Sequence, residues 1–328
     1  MTKRNLILIH RGPEYEEDFQ EIAQRVRAID GDICVYPVSS GMRAELPESV
    51  WQHPTLTVAL MPKFKVPIRR GPVLKNHPIE KLEQQALFRK HGIPTPPALP
   101  FHFGMKLDPI LFGDFVILKP MDLKFTSTGH GVQLFKRPRV EKLTISDFPR
   151  DHLIHKDSKG YLVQRFVDTG ERISACRVTT FFSVPILSVS MKSNVNRPPL
   201  QSADQILEST PVASNAIKDK KRFIHADDDM VELARKVHGL LPDIPLLGVD
   251  VLREASTGRL FVLECNAGGN TWHFSSKSGE KLRGWFGEHP RVPLEKAARK
   301  GRQMYISQYG GFERVAEVLV EKVRSFAS

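Results

Sequence analysis

Cysteine is scarce in this chain: three residues in 328, Cys34, Cys176 and Cys265, far apart and each in an apolar stretch. That spacing excludes a disulfide framework and a cysteine-based zinc site, and all three read as buried thiols in a reducing compartment. Long hydrophobic runs are missing too. Nothing approaches the ~20 apolar residues a membrane helix needs, and the N-terminal run at 6–9 is too short for a signal-peptide core. The expectation is a cytoplasmic protein with no membrane partner. There is no internal repeat and no low-complexity tract, and the glycines match neither the phosphate-loop pattern GxxxxGK[ST] nor the dinucleotide pattern GxGxxG. No Ser/His/Asp or Cys/His set suggests nucleophilic catalysis by a side chain.

What is present is a hydrophobic content of 41% and an excess of basic residues, 48 Lys and Arg against 37 Asp and Glu, for a net charge of +11. A chain of this length is expected to form two or three lobes with a sizeable core. The charge makes polyanions attractive in general. Aromatic residues fall mostly inside apolar strands and helices instead of interleaving with a basic face, which ranks nucleic acid low as a partner. The two dense basic runs, KFKVPIRR at 63–70 and KDKKR at 218–222, read as solvated loops.

The first 61 residues alternate in the α/β manner. NLILIH, DICVY and TLTVALM read as strands, and Phe19, Ile22, Ala23, Val26 and Ile29 recur at helical spacing. Residues 62–78, with four prolines, read as a linker. A helix follows, with Asn76 as its cap, Ile79, Leu82, Ala86 and Leu87 as its apolar face and Gly92 as its end. FVILKP, GVQLF and YLVQRFV then read as strands, RISACRVTTFF and PILSVSM as an antiparallel pair, and 192–226 as a long loop. DDDMVELARKVHGLL and the segment from Phe312 to the C-terminus are amphipathic helices.

The most informative stretch is LLGVDVLREASTGRLFVLECNAGGN. It reads as a hairpin turning at 256–258, and a register about Thr257 places Asp250 opposite Glu264. Alternation puts Val262, Glu264 and Asn266 on one face and Phe261, Leu263 and Cys265 on the other. Three hard oxygen ligands, Asp250, Glu264 and Asn266, then converge in a set that suits Mg2+ or Mn2+. In FVILKPMDLKFTSTGHGVQLF, a lysine at the end of a buried strand precedes a Thr/Ser/Gly loop, a combination able to surround phosphates with an ammonium and backbone N–H groups. Solvent-facing hairpins remain the plain alternative for both segments.

Taken in order over roughly residues 72–275, these pieces resemble the ATP-grasp superfamily, of the carboxylate–amine ligase kind that includes glutathione synthetase and glutamate ligases. The resemblance rests on the helix with Lys81, the strand lysine of FVILKP, the loop TSTGHGV, YLVQRFV, the arginine strand ACRVTTFF and the hairpin from GVDVL to VLECNAGGN. It implies a small open N-terminal α/β sheet domain at 1–75, followed at 76–328 by a two-lobed ATP-grasp domain of α+β lobes gripping ATP. Lys81 and Lys119 would lie near the adenine and phosphates, Thr128, Gly129 and Gly131 in the loop over the phosphates, and Gln164, Arg165, Phe166 and Val167 against the adenine. Arg177 would stabilise the transferred phosphoryl group, Lys192 would assist it or a substrate carboxylate, and Asp250, Glu264 and Asn266 would hold Mg2+ or Mn2+. The phosphate loop has fewer glycines than many members, and Arg165 stands where a carboxylate or small polar residue is common.

The implied activity is an ADP-forming ligase joining a carboxylate to an amine through an acylphosphate, with ATP and a small-molecule or peptide carboxylate and amine as partners and a homodimer as the assembly. A kinase acting on a hydroxyl, or an ATP- or polyanion-binding protein without turnover, is the alternative. The acceptor would be held by the 192–226 loop, the NTWHFSSKSGEKLRGWF segment and the HRGPEY turn. The positive charges there (Lys192, Arg197, Lys218, Lys277, Lys281, Arg283) suggest an acidic or phosphorylated partner.

Overall fold

The computed structural model describes residues 3–41, 45–121, 131–156, 160–268, 271–276, 279–280 and 293–326. Three sheets organise the chain. The first is parallel, with order β2-β1-β3-β4, from β1 (Arg4–His10), β2 (Ile33–Ser39), β3 (Thr55–Ala59) and β4 (Val73–Lys75). The expected α/β alternation holds through β3, with helix α1 (Glu16–Ile29) burying Phe19, Ile22, Ala23 and Val26. The linker expected at 62–78 instead contributes β4, too short at three residues to show a period. Cys34, expected to be buried, is exposed, because β2 is an edge strand whose side chains alternate inward and outward. Cys176 and Cys265 are buried as expected.

The second sheet is antiparallel, β5-β8-β6-β7, from β5 (Ala98–Pro100), β6 (Phe115–Pro120), β7 (Gln133–Lys136) and β8 (Tyr161–Arg165). Val116, Leu118, Phe135, Tyr161 and Val163 pack on one of its faces with Phe112 and Val140. The third is antiparallel, β11-β10-β9-β12-β13, from β9 (Ser174–Phe181), β10 (Val184–Ser193), β11 (Lys220–Phe223), β12 (Leu246–Arg253) and β13 (Leu260–Asn266). The expected β9–β10 pair turns tightly at Phe182 and Ser183, both with positive φ. The 192–226 stretch, expected as a loop, holds the helix Asp204–Glu208 and strand β11.

One core joins the parallel sheet to α1, to the C-terminal helix Gly311–Phe326 and to Phe181, Ile186 and Leu246 of the third sheet. Trp272 lies at its centre, fully buried, stacked on Phe312 and donating its indole N–H to Asp18 at 2.8 Å. A second core covers the back of the third sheet with the helix Asp228–Gly239, whose Met230, Leu233, Ala234 and Val237 are the residues its period picked out. Among the described residues no helix is long and apolar enough to cross a membrane.

Asn76 is no helix cap. It is fully buried, donating to Leu60 O at 3.3 Å and accepting from Leu246 N at 3.0 Å, so its amide links the first sheet to the third. Helix α2 (Lys81–Lys90) is instead capped by Glu80, in a reciprocal box with Glu83. Its buried face is Lys81, Gln84, Gln85 and Phe88 instead of the apolar set expected.

His238 is a core histidine held neutral. Its Nε2 donates to Ile244 O at 2.7 Å and its Nδ1 accepts from the Thr180 hydroxyl at 2.6 Å, while burial lowers its pKa to about 4. The unfolded chain therefore takes up a proton here below pH ~6.5 that the fold refuses, so the contribution is complete above that pH and lost as pH falls toward 4. Unfolding free energy should drop by roughly 2 kcal/mol between pH 7 and 5 from this group. In urea titrations, His238→Gln should lack that part of the slope; equal slopes in wild type and variant would contradict the assignment.

Candidate active site

The second and third sheets face one another across a cavity of about 820 Å³, lined from both sides and by α2. On β6, alternation sends Val116 and Leu118 into the sheet's own core and turns Ile117 and Lys119 to the cavity. Lys119 is 7% exposed; burial lowers its pKa, and the charges of Glu264 and Asp250 oppose that shift from across the cleft. Lys81, at the first turn of α2, is also buried and donates to Pro120 O at 3.0 Å. Both lysines are thus anchored at the end of β6. Gln164 lines the cavity from β8, and Arg165, Phe166 and Val167 carry the chain from the second sheet toward the third. Arg165 pairs with Glu254 and lies 5.3 Å over the Phe261 ring, tying that crossover to the β12–β13 hairpin.

On the third sheet, Asp250 of β12 lies between Arg177 of β9 and Glu264 of β13 in the strand register. The expected pairing of Asp250 with Glu264 is present, but by a route the sequence hid. Near the turn Val251 pairs with Val262, and a bulge at Leu263 then shifts the register by one. Without it Asp250 would oppose Leu263. The bulge also corrects the expected faces, since Val262 joins Cys265 in the core behind the sheet while Leu263, Glu264 and Asn266 line the cavity.

Arg177 donates from Nε and Nη2 to the two oxygens of Asp250, both at 2.7 Å, a bidentate fork. Gly248 makes room for the arginine stem, since a Cβ there would meet Thr271 Cγ2 at 2.9 Å and Arg177 Cδ at 3.5 Å. The Asn266 amide bridges the carboxylates, 3.3 Å from Glu264 and 3.4 Å from Asp250. Burial pushes the Asp250 pKa up despite Arg177. Burial would raise Glu264 as well, but Lys119 and Lys81 outweigh it and hold its carboxyl below the usual range.

No sequence-family profile matches the chain, and no curated protein does. Solved structures do match over nearly the whole length. A D-alanine–D-alanine ligase from Bacillus anthracis is 10% identical, covering 97% of this chain and 100% of its own, at a TM-score of 0.44. The D-cycloserine synthetase DcsG is 13% identical over 92% and 99% at 0.45, and the ATP-grasp ligase PsnB, complexed with a minimal precursor, is 16% identical over 94% and 100% at 0.42. This chain's own sheets are a parallel α/β sheet followed by two antiparallel sheets closing on one cleft.

Within this cleft stand Lys81, Lys119, Gln164, Arg165, Phe166, Val167, Arg177, Asp250, Glu264 and Asn266 of the expected set. Lys192 does not join them. It is exposed on β10, because alternation gives the cavity side to Met191. Thr128 and Gly129 lie outside the described residues. Gly131 has φ +73° and packs where a Cβ would lie 2.7 Å from the Tyr161 hydroxyl, so it serves the close approach of the β6–β7 connection to β8. Among the described residues no three His, Cys, Asp or Glu side chains group as a metal centre. Two carboxylates and an amide nonetheless match magnesium in donor type, because that ion usually takes its remaining ligands from phosphates and water.

Three contributors escaped the sequence reading. Gln84 accepts from Cys265 N at 2.8 Å and donates to Cys265 O at 2.9 Å, gripping the peptide between Glu264 and Asn266. Its signal was a glutamine one turn after Lys81, hidden by the search for an apolar face. Lys220 and Arg222 of β11 also line the cavity, so the 218–222 run is not simply a solvated loop. Period 2 in KKRF could have shown it.

Gln84→Ala should therefore lower unfolding free energy by about 2–4 kcal/mol, since it strands a buried N–H and C=O together. Chemical denaturation would measure this, and a loss below about 1 kcal/mol would contradict the clamp.

Proposed function

We propose that the protein is an ATP- and magnesium-dependent ligase that forms ADP while joining a carboxylate to an amine through an acylphosphate. The observation that carries this reading is the meeting, in one cleft between two antiparallel sheets, of three cations (Lys81, Lys119, Arg177) with an acidic and amide triplet (Asp250, Glu264, Asn266). A carboxylate is a poor electrophile until one of its oxygens becomes part of a leaving group. Fixed positive charge around the moving phosphoryl group supplies the stabilisation such a transfer requires. The division into an N-terminal unit at 1–75 and a nucleotide-binding unit at 76–328 belongs to the same proposal.

The roles follow from position. Gln164, Arg165, Phe166 and Val167 bind the adenine at the crossover, and Lys81 and Lys119 hold phosphate oxygens. Asp250, Glu264 and Asn266 would hold magnesium or manganese, which supplies charge neutralisation when bound. In the first step a substrate carboxylate oxygen bonds to the γ-phosphorus, the bond from that phosphorus to the β,γ-bridging oxygen breaks, and ADP departs. Arg177 faces the charge developing on the transferred group, sharing its fork between Asp250 and phosphate. In the second step the amine nitrogen bonds to the acyl carbon, the carbon–oxygen bond to phosphate breaks, and nitrogen loses a proton. Both steps proceed between substrates, which agrees with the lack of a nucleophilic side chain in the proposed set.

Thermal unfolding with and without ATP and magnesium tests the site. At 100 times Kd a single site adds about 2.7 kcal/mol, a rise in Tm of about 4 °C for a chain of this size. Wild type should show that rise and Glu264→Ala should lose it. An equal rise in Glu264→Ala, or AMP and pyrophosphate as products, would contradict the proposal; a stable phosphoester formed without any amine would redirect it to a hydroxyl kinase.

A further inference from the structure

We propose that Glu254, at the turn of the β12–β13 hairpin, is a positioning residue for the nucleotide base, acting through Arg165 to hold the crossover at 164–167 in shape before the base arrives. The inference rests on the nucleotide-binding reading of the cleft given above. Arg165 is one of the crossover residues that line the cavity. Its charge has no counterpart on a neutral base, and the structure shows where that charge is answered instead.

Glu254 is 6% exposed and stands one residue beyond β12. One of its carboxylate oxygens accepts from Arg165 Nη2, and the other accepts from the Thr257 hydroxyl at 2.6 Å, across the turn. The Arg165 guanidinium also lies 5.3 Å from the centre of the buried Phe261 ring of β13, which Arg259 approaches at 5.4 Å. Both ends of the ion pair are therefore fixed, the carboxylate by Thr257 and the guanidinium by the ring. Arg165 is held to the hairpin at two points, through its charge and through its plane.

The backbone of the crossover is tied to both sheets. Arg165 N donates to Pro97 O at 2.9 Å and Phe166 N to Phe115 O at 3.0 Å, on the side of the second sheet. Ala255 N, next to Glu254, donates to Asp168 O at 2.8 Å, on the side of the third. The Arg165–Glu254 pair adds a side-chain link to the third sheet within the stretch that meets the base. Glu254 also follows Asp250 by four residues, roughly 13 Å along a strand at 3.3 Å per residue. One hairpin thus carries the proposed metal ligands at one end and the anchor of the crossover at the other, which sets the separation of base slot and phosphate site. A loop ordered in advance spares a ligand the cost of ordering it, so the pair acts on affinity.

The test is titration calorimetry of the full chain with ADP and with GDP, each with magnesium. Arg165→Met and Glu254→Met should each weaken ADP binding about tenfold, the scale of one charge-assisted contact. Because the two residues act as one unit, the double variant should also lose about tenfold, whereas independent effects would multiply to roughly a hundredfold. Replacing both partners by apolar side chains of similar length spares the fold, so the double variant reads the effect even where a single variant fails to fold. Arg259→Met, which leaves the pair intact, should bind ADP as wild type does. The preference for ADP over GDP should narrow in the pair variants, since the loss falls on the base; a purely structural pair would lower Tm and leave that preference alone. Unchanged ADP affinity in the double variant, a multiplied loss, or an unaltered ADP-to-GDP ratio overturns the inference while leaving the nucleotide site in place. Wild type that binds neither nucleotide overturns the nucleotide reading itself, and this inference with it.

Discussion

The interaction on which the rest of the site depends is the balance of buried charge between the two antiparallel sheets. Asp250 and Glu264 are drawn out of water onto a sheet face, and neither could stay there ionised alone. Arg177 answers the first with two short hydrogen bonds, and Lys119, reaching from the opposite sheet, answers the second together with Lys81. The same charges that make the cleft tolerable are those a triphosphate and its metal would use, so that nucleotide binding would exchange partners among charges already in place.

That balance relies on backbone positioned to within a residue. The bulge at Leu263 keeps Glu264 opposite Asp250, and without it the second carboxylate would point into the apolar core behind the sheet. Gln84 holds the peptide at Cys265, while Pro94 and Thr95 bond to Val262, so β13, an edge strand of its sheet, is covered along the stretch that carries the acidic residues. Helix α2 is consequently polar on its buried side. It acts as a brace for the site, with Lys81 and Gln84 one turn apart performing two different tasks.

Much of this was legible because it follows from short-range periodicity. Most of the strands, the β12–β13 hairpin and the buried face of the helix Asp228–Gly239 could be read from alternation and helical spacing, and a register about Thr257 paired Asp250 with Glu264, while the short strands β4, β5 and β11 were not seen. The illegible parts came from elsewhere. A bulge leaves no mark in composition, so Val262 was assigned to the wrong face. Asn76 looked like a cap because its partner Leu246 lies 170 residues further along the chain. Trp272, beside the hairpin in sequence, turns away into the core shared with α1, while His273 next to it lines the cavity. Lys192 and Lys220 exchanged importance because a charge run read as loop is a strand, and a strand shows the cleft only every second side chain. Arg197, counted among the positive charges of the acceptor region, donates from Nη2 to both carboxylate oxygens of Asp168.

The central claim is the proposal that the cleft between the second and third sheets holds a nucleotide and its metal ion. A crystal structure of the protein with ADP and magnesium tests it most directly. The account predicts adenine against the crossover at 164–167, phosphate oxygens on Lys81 and Lys119, and a metal ion on Asp250 and Glu264 with Arg177 turned toward the β-phosphate side. Nucleotide bound elsewhere, or a metal ion that leaves both carboxylates untouched, would contradict it.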